Sequence, residues 1–116
     1  MNTPRLDLLV LQVADLDAAS RFYAALGLTF VRERHGAGPE HFSSSIGGVL
    51  LELYPATGGL TSHATRLGFS VPLLDLAVDA LLAQGGTLVS AAKASPWGRR
   101  AVVADPDGHR VELREA

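Results

Sequence analysis

Apolar and polar positions alternate along residues 5 to 13, a stretch rich in leucine and valine, and this period of two predicts a strand. The pattern then changes. Leu16, Ala19, Tyr23 and Leu26 recur at spacings of three and four, the stripe of an amphipathic helix over 16 to 26. Asp15 is placed to cap its first turn and Gly27 to end it in a left-handed conformation. Short strands are expected at 28 to 34, 40 to 46 and 49 to 54, the last two joined by Gly47-Gly48 as a hairpin turn. Residues 55 to 63, from Pro55 to His63, read as a linker. Beyond it the same order returns: a strand at 65 to 71, a helix at 74 to 84 stopped by Gly85-Gly86, then strands near 87 to 91, 99 to 104 and 109 to 114. Asp105-Pro106-Asp107-Gly108 makes the last tight turn, with proline presetting φ and glycine taking the positive one.

The return is a duplication. Residues 11 to 31 lie without a gap on residues 69 to 89, an offset of 58, with identities that include Val13/Val71, Asp17/Asp75, Ala19/Ala77, Ala25/Ala83, Gly27/Gly85, Thr29/Thr87 and Val31/Val89. At an offset of 60 the match resumes with Gly48, Glu52 and Leu53 on Gly108, Glu112 and Leu113. The chain therefore reads as α+β, two βαβββ modules in tandem (residues 1–55 and 64–116) within one domain. Each helix covers one face of a sheet. Equivalent positions of a duplicated unit meet around a pseudo-two-fold axis, which makes the paired Glu52 and Glu112 the first candidates for a site.

Composition narrows the function classes. Of 116 residues, 47% are hydrophobic and 19% charged, enough apolar material for one core that the two modules must share. A net charge of −2, with arginines and lysines dispersed, offers no electrostatic footprint for nucleic acid or an anionic membrane. There is no cysteine, so disulfides and thiolate metal sites are excluded, and a reducing, cytoplasmic location is expected. No stretch reads as a signal peptide or a membrane span.

Taken in order, Asp15-Leu16 before Phe22-Tyr23 and Leu26-Gly27, then Trp97-Gly98 ahead of Asp105-Pro106-Asp107-Gly108 and Val111-Glu112-Leu113, the chain resembles the vicinal oxygen chelate superfamily. That is the family of glyoxalase I, bleomycin-resistance proteins and extradiol dioxygenases. The resemblance covers almost the whole chain and implies a cupped mixed sheet with the helices on its outer face. One such scaffold hosts many activities. In its enzymes a divalent ion is held by one residue in the first strand of each module, commonly histidine, and one glutamate in the fourth strand of each. Carried over, these positions are Leu8, Arg66, Glu52 and Glu112. Leucine has no donor atom and arginine stays protonated, so the protein is expected to hold no divalent metal tightly and to need no other cofactor.

Strand alternation assigns the faces. Leu9, Leu11 and Val13, with Leu67, Phe69 and Val71, should lie under the helices. The opposite, cup-lining face then holds Leu8, Val10 and Gln12 with Leu50, Glu52 and Tyr54 in the first module, and Arg66, Gly68 and Ser70 with Arg110, Glu112 and Arg114 in the second. Arg66 could stand in for the ion by bridging Glu52 and Glu112. That trio alone carries −1 and favours a cationic ligand, an inclination that Arg110 and Arg114 offset. Trp97 stands in a loop at the cup's mouth and can stack on a planar ligand. Phe30 and Phe42 are expected in the core, while His35, His63 and His109 are expected at the surface. The side on which His41 lies is open.

Leu8, Val10, Leu50, Glu52, Tyr54, Arg66, Trp97 and Glu112 are therefore the expected ligand-binding set. The function expected first is metal-free binding of a small molecule, a drug or metabolite. The alternative is an enzyme of the superfamily, of lyase, isomerase or dioxygenase type, with a rearranged metal site or with Glu52 or Glu112 as general base. A third reading is an interaction protein with a vestigial cup. The apolar Leu8, Val10, Leu50 and Tyr54 need cover, and chains of the family pair, so a homodimer is expected.

Overall fold

The computed structural model describes residues 3–116; Met1 and Asn2, at the start of the first module, lie outside the described residues. The order of elements is β1 (Leu8–Val13), α1 (Leu16–Ala24), β2 (Val31–Glu33), β3 (His41–Ile46), β4 (Val49–Pro55), β5 (Arg66–Val71), α2 (Leu74–Ala83), β6 (Thr87–Lys93), β7 (Arg100–Ala104) and β8 (Arg110–Glu115). They make two four-stranded mixed sheets, ordered β1-β4-β3-β2 and β5-β8-β7-β6. In each, the first strand runs parallel to the fourth while the remaining pairs are antiparallel. The registers repeat the duplication: Leu8 lies opposite Leu50 and Val10 opposite Glu52, as Arg66 lies opposite Arg110 and Gly68 opposite Glu112.

Local chemistry explains most boundaries. Asp15, extended at φ −133°, accepts a hydrogen bond from the Ala18 amide at 3.0 Å and so caps α1. Gly27 follows the helix at φ 97°. The second strand is shorter than the expected 28 to 34, because Leu28 and Phe30 pack against the core and only Val31–Glu33 reaches the ladder. α2 has no capping side chain of its own, since Leu73 stands where Asp15 stands in the first module. The Glu115 carboxylate of β8 accepts from the Leu74 amide at 3.1 Å instead. Gly86 is demanded by packing: a Cβ there would lie 2.8 Å from the Leu81 carbonyl oxygen and 2.9 Å from both Phe22 and Val103.

One hydrophobic cluster runs through both modules. Leu11, Val13, Phe22, Tyr23 and Leu53 from the first join Leu74, Leu81, Val103, Val111 and Leu113 from the second, each side chain worth roughly 1.5–3 kcal/mol of burial. Phe42 is buried and meets Phe30 edge to face, so both serve packing as expected.

The modules are also joined by polar bonds, and here the sequence expectation fails. His109, expected at the surface, is fully buried. The Asp105-to-Gly108 turn folds back so that Asp105 accepts from the Tyr23 hydroxyl at 2.6 Å, from His109 Nδ1 at 2.8 Å, and from the Asp107 and His109 amides at 2.9 Å. Ser62 bonds His109 Nε2 at 2.7 Å and accepts from the Gln12 amide at 2.9 Å, so the expected linker is stitched to both modules. Asp107 adds a bond from the Ala14 amide at 2.9 Å. Ser62, His109 and Asp105 stand in the order of a nucleophile, base and acid. With His109 sealed from solvent, they clamp the modules together rather than present a nucleophile.

Candidate functional site

Alternation along the strands sets the cup faces as the sequence implied: Leu11, Val13, Leu67 and Val71 are buried under the helices, while Leu8, Gln12, Arg66, Gly68 and Ser70 are exposed on the opposite side. The neighbouring strands, whose faces the sequence left unassigned, complete each cup face. Ser43 is registered with Glu52 and His41 with Glu33 in the first module; Val102 is registered with Glu112 and Arg100 with Arg114 in the second.

On the first face, Glu52 is only 8% exposed and lies 3.7 Å from His41 Nε2. His41 is 1% exposed; its ring stacks on Tyr54 at 4.2 Å between centroids, within 8° of parallel. The strand direction therefore answers the question left open, and His41 faces the cup. Glu33 approaches the same nitrogen to 3.5 Å, and His35 stands 4.0 Å from Glu33. Burial, with the charges of Glu52 and Glu33, pushes the Tyr54 hydroxyl above its ordinary value, so it remains a donor. Leu8, Leu50 and Val31 are exposed apolar groups on this face.

On the second face, Glu112 forms an ion pair with Arg100 and a longer one with Arg66 at 3.9 Å. Arg114 donates to Ser70 Oγ at 3.1 Å. A cavity of about 420 Å³ is lined by Gly68, Phe69, Ser70, Trp97, Arg100, Glu112 and Arg114. Trp97 also borders a neighbouring cavity of about 460 Å³ that reaches Arg66, Lys93 and Arg110. Its side chain is 68% exposed, so it stands at the mouth of the pocket and not in the core.

The structure thus brings Arg66, Trp97 and Glu112 together on the second face and Leu8, Val10, Leu50, Glu52 and Tyr54 on the first. It does not bring Arg66 to Glu52, which is paired with His41. Arg100, not Arg66, is the closer partner of Glu112, because β7 lies between β8 and β6 and places Arg100 beside it. Sequence reasoning missed Glu33, while His35 is at the surface as expected. The signal available was the alternation of Val31 and Glu33 on the cup side of a strand opposite His41.

Among the described residues no helix is long and apolar enough to cross a membrane. Two modules of this topology, with a cup face on each, define the class, and a family model agrees. The chain matches the Glyoxalase/Bleomycin resistance protein/Dioxygenase superfamily over residues 5–113 and belongs to that family. No curated protein matches it. Among solved structures, a glyoxalase-related enzyme from Fulvimarina pelagi is 26% identical with a TM-score of 0.80, covering 98% of this chain and 89% of that one. An antibiotic binding protein from a Streptomyces strain is 24% identical with a TM-score of 0.78, covering 99% and 98%. A glyoxalase/bleomycin resistance protein from Albidiferax ferrireducens is 20% identical with a TM-score of 0.78, covering 96% and 98%. The latter two likenesses are to the fold.

Proposed function

We propose that this protein binds a small planar aromatic anion, without the family's four-residue metal centre. The observation that carries the reading is Trp97, exposed at the edge of the second cup face, where Arg66, Lys93, Arg100, Arg110 and Arg114 line the two cavities against the single carboxylate of Glu112. A flat indole offers a stacking surface, and the surplus of guanidinium groups favours a carboxylate, phenolate or phosphate on the ligand. The surplus reverses the cationic preference expected from the trio of Arg66, Glu52 and Glu112. The family's ligand quartet falls on Leu8, Glu52, Arg66 and Glu112, and two of those cannot donate to an ion. The Streptomyces relative, which shares the fold, is an antibiotic binding protein.

Two copies are proposed to pair, so that the exposed Leu8, Val31 and Leu50 of one chain are covered and each second-module pocket gains a facing wall. The test uses Trp97, the only tryptophan of the chain. Planar aromatic acids should quench its fluorescence and raise the melting temperature, while amine-bearing analogues should do neither. Arg100→Ala and Arg114→Ala should each weaken the acid by roughly tenfold, the scale of one charged hydrogen bond. Preferential binding of the cationic analogues would overturn the reading.

A second reading, catalysis, draws on Glu52, a buried carboxylate beside His41, as a general base. The 26% identity to a glyoxalase-related enzyme supports it. Turnover lost in Glu52→Gln with ligand affinity retained would favour this reading over simple binding.

A further inference from the structure

We infer that Glu33, His35 and His41, on the first cup face, form a binding site for a divalent transition-metal ion such as Zn²⁺. The site stands apart from the aromatic-anion pocket and is independent of the reading given to it. One ligand atom from each of the three residues falls within 4.8 Å of the others. The Glu33 carboxylate lies 3.5 Å from His41 Nε2 and 4.0 Å from His35 Nε2. Bonds of roughly 2.0–2.1 Å at tetrahedral angles place neighbouring ligand atoms about 3.3 Å apart, so the trio, with separations of 3.5 Å, 4.0 Å and at most 4.8 Å, must contract around an ion. Closing that difference asks for small rotations of Glu33, one third exposed, and of His35, which is 73% exposed in its loop. Two imidazoles and one carboxylate are a donor set suited to Zn²⁺, and such a set leaves one position for water.

The surroundings of His41 supply a second argument. Its Nδ1 lies 3.2 Å from the Pro39 carbonyl oxygen, an acceptor that fixes the proton on Nδ1 and turns the lone pair of Nε2 into the cup. That is the arrangement in which a backbone carbonyl orients a metal-binding imidazole. Within the cup, Nε2 meets the Tyr54 hydroxyl only at 3.5 Å and faces two carboxylates, Glu33 at 3.5 Å and Glu52 at 3.7 Å. With one long hydrogen bond from the Tyr54 hydroxyl and two carboxylates beside it, the Nε2 lone pair lies where a cation would satisfy it and both anions together. Glu52 then stands where it can accept a hydrogen bond from an ion-bound water. Of the family's quartet this site uses only Glu52, and only as a neighbour, so the loss of donors at Leu8 and Arg66 does not affect it.

A second cluster of similar size, Asp105, Asp107 and His109, provides an internal contrast. Its atoms are already committed: Asp105 accepts four hydrogen bonds, Asp107 accepts from Ala14, and both His109 nitrogens are engaged.

The experiment titrates chelator-treated full-length protein with Zn²⁺ and with Co²⁺, followed by calorimetry and by the visible absorption of tetrahedral Co²⁺. One equivalent should bind. His35→Ala and Glu33→Gln should each weaken binding at least about tenfold, and both should fold, because each residue is at least partly exposed. Asp107→Asn should leave the titration unchanged. The cation beside His41 has one other source, a proton on Nε2. In that case the wild type binds no Zn²⁺ at micromolar concentrations and the His41 ring shows both nitrogens protonated by NMR, which overturns the proposal. Binding that survives undiminished in both His35→Ala and Glu33→Gln overturns it equally.

Discussion

Removing the hydroxyl of Tyr23 tests the polar clamp between the modules. In Tyr23→Phe the ring, fully buried and packed edge to face on Phe22 at 4.9 Å, keeps its apolar contacts, and only the 2.6 Å bond to Asp105 is lost. A hydrogen bond to a charged acceptor is worth about 1.5–3 kcal/mol, and the Asp105 oxygen retains His109 Nδ1 at 2.8 Å, so no polar atom is orphaned. For a chain of 116 residues this loss corresponds to a melting temperature lower by roughly 6–12 °C. The effect should also depend on pH. Burial would push Asp105 up, but the hydrogen bonds from His109 and Tyr23, the charge of His109 and its amide outweigh this and hold the carboxyl below its ordinary value. A depressed carboxyl stabilises the fold above its unfolded value of about 3.9, and this contribution is lost as pH falls through the folded value. Tyr23→Phe moves the folded value upward, so the penalty should be largest near neutrality and shrink on acidification. Urea unfolding followed by circular dichroism between pH 7 and pH 3 measures both quantities. A penalty below about 0.5 kcal/mol at pH 7, or one that grows as pH falls, would refute the argument.

Gly86→Ala should destabilise the protein by about 1–3 kcal/mol, since a methyl group cannot avoid the Leu81 carbonyl, Phe22 and Val103; a neutral result in chemical unfolding would show that the backbone yields there. Arg66→Ala should cost less than about 1 kcal/mol, because its pair with Glu112 is long and half-exposed, and a double-mutant cycle should show weak coupling to Glu112 and none to Glu52. Light scattering at micromolar concentration should report a dimer; a monomer there would mean that the exposed Leu8, Val31 and Leu50 need no cover from a second copy.

The duplication, the two helices, the capping role of Asp15 and the alternation that points Glu52 and Glu112 away from the helices were all legible in the chain. Each follows from periods of two and 3.6 residues or from the chemistry of a single turn, and these act over a few neighbouring positions. The family resemblance added the cup and its four ligand positions. What lies around Glu52 and Glu112 was not legible. Glu52 found His41 and Glu112 found Arg100 because β3 and β7 lie beside the fourth strands, and strand order in a sheet carries no local signal. His109 looked like a surface residue, since histidine after a tight turn usually meets water. Only the packing of α1 against the second module, with the Tyr23 hydroxyl aimed at Asp105 across 82 residues of sequence, supplied the partners that make its burial favourable. Local pattern thus determined which elements form and which way their side chains point. The pairing of polar groups was decided by the tertiary structure, because a buried hydrogen bond is set by the position of its partner in space and not by its distance along the chain.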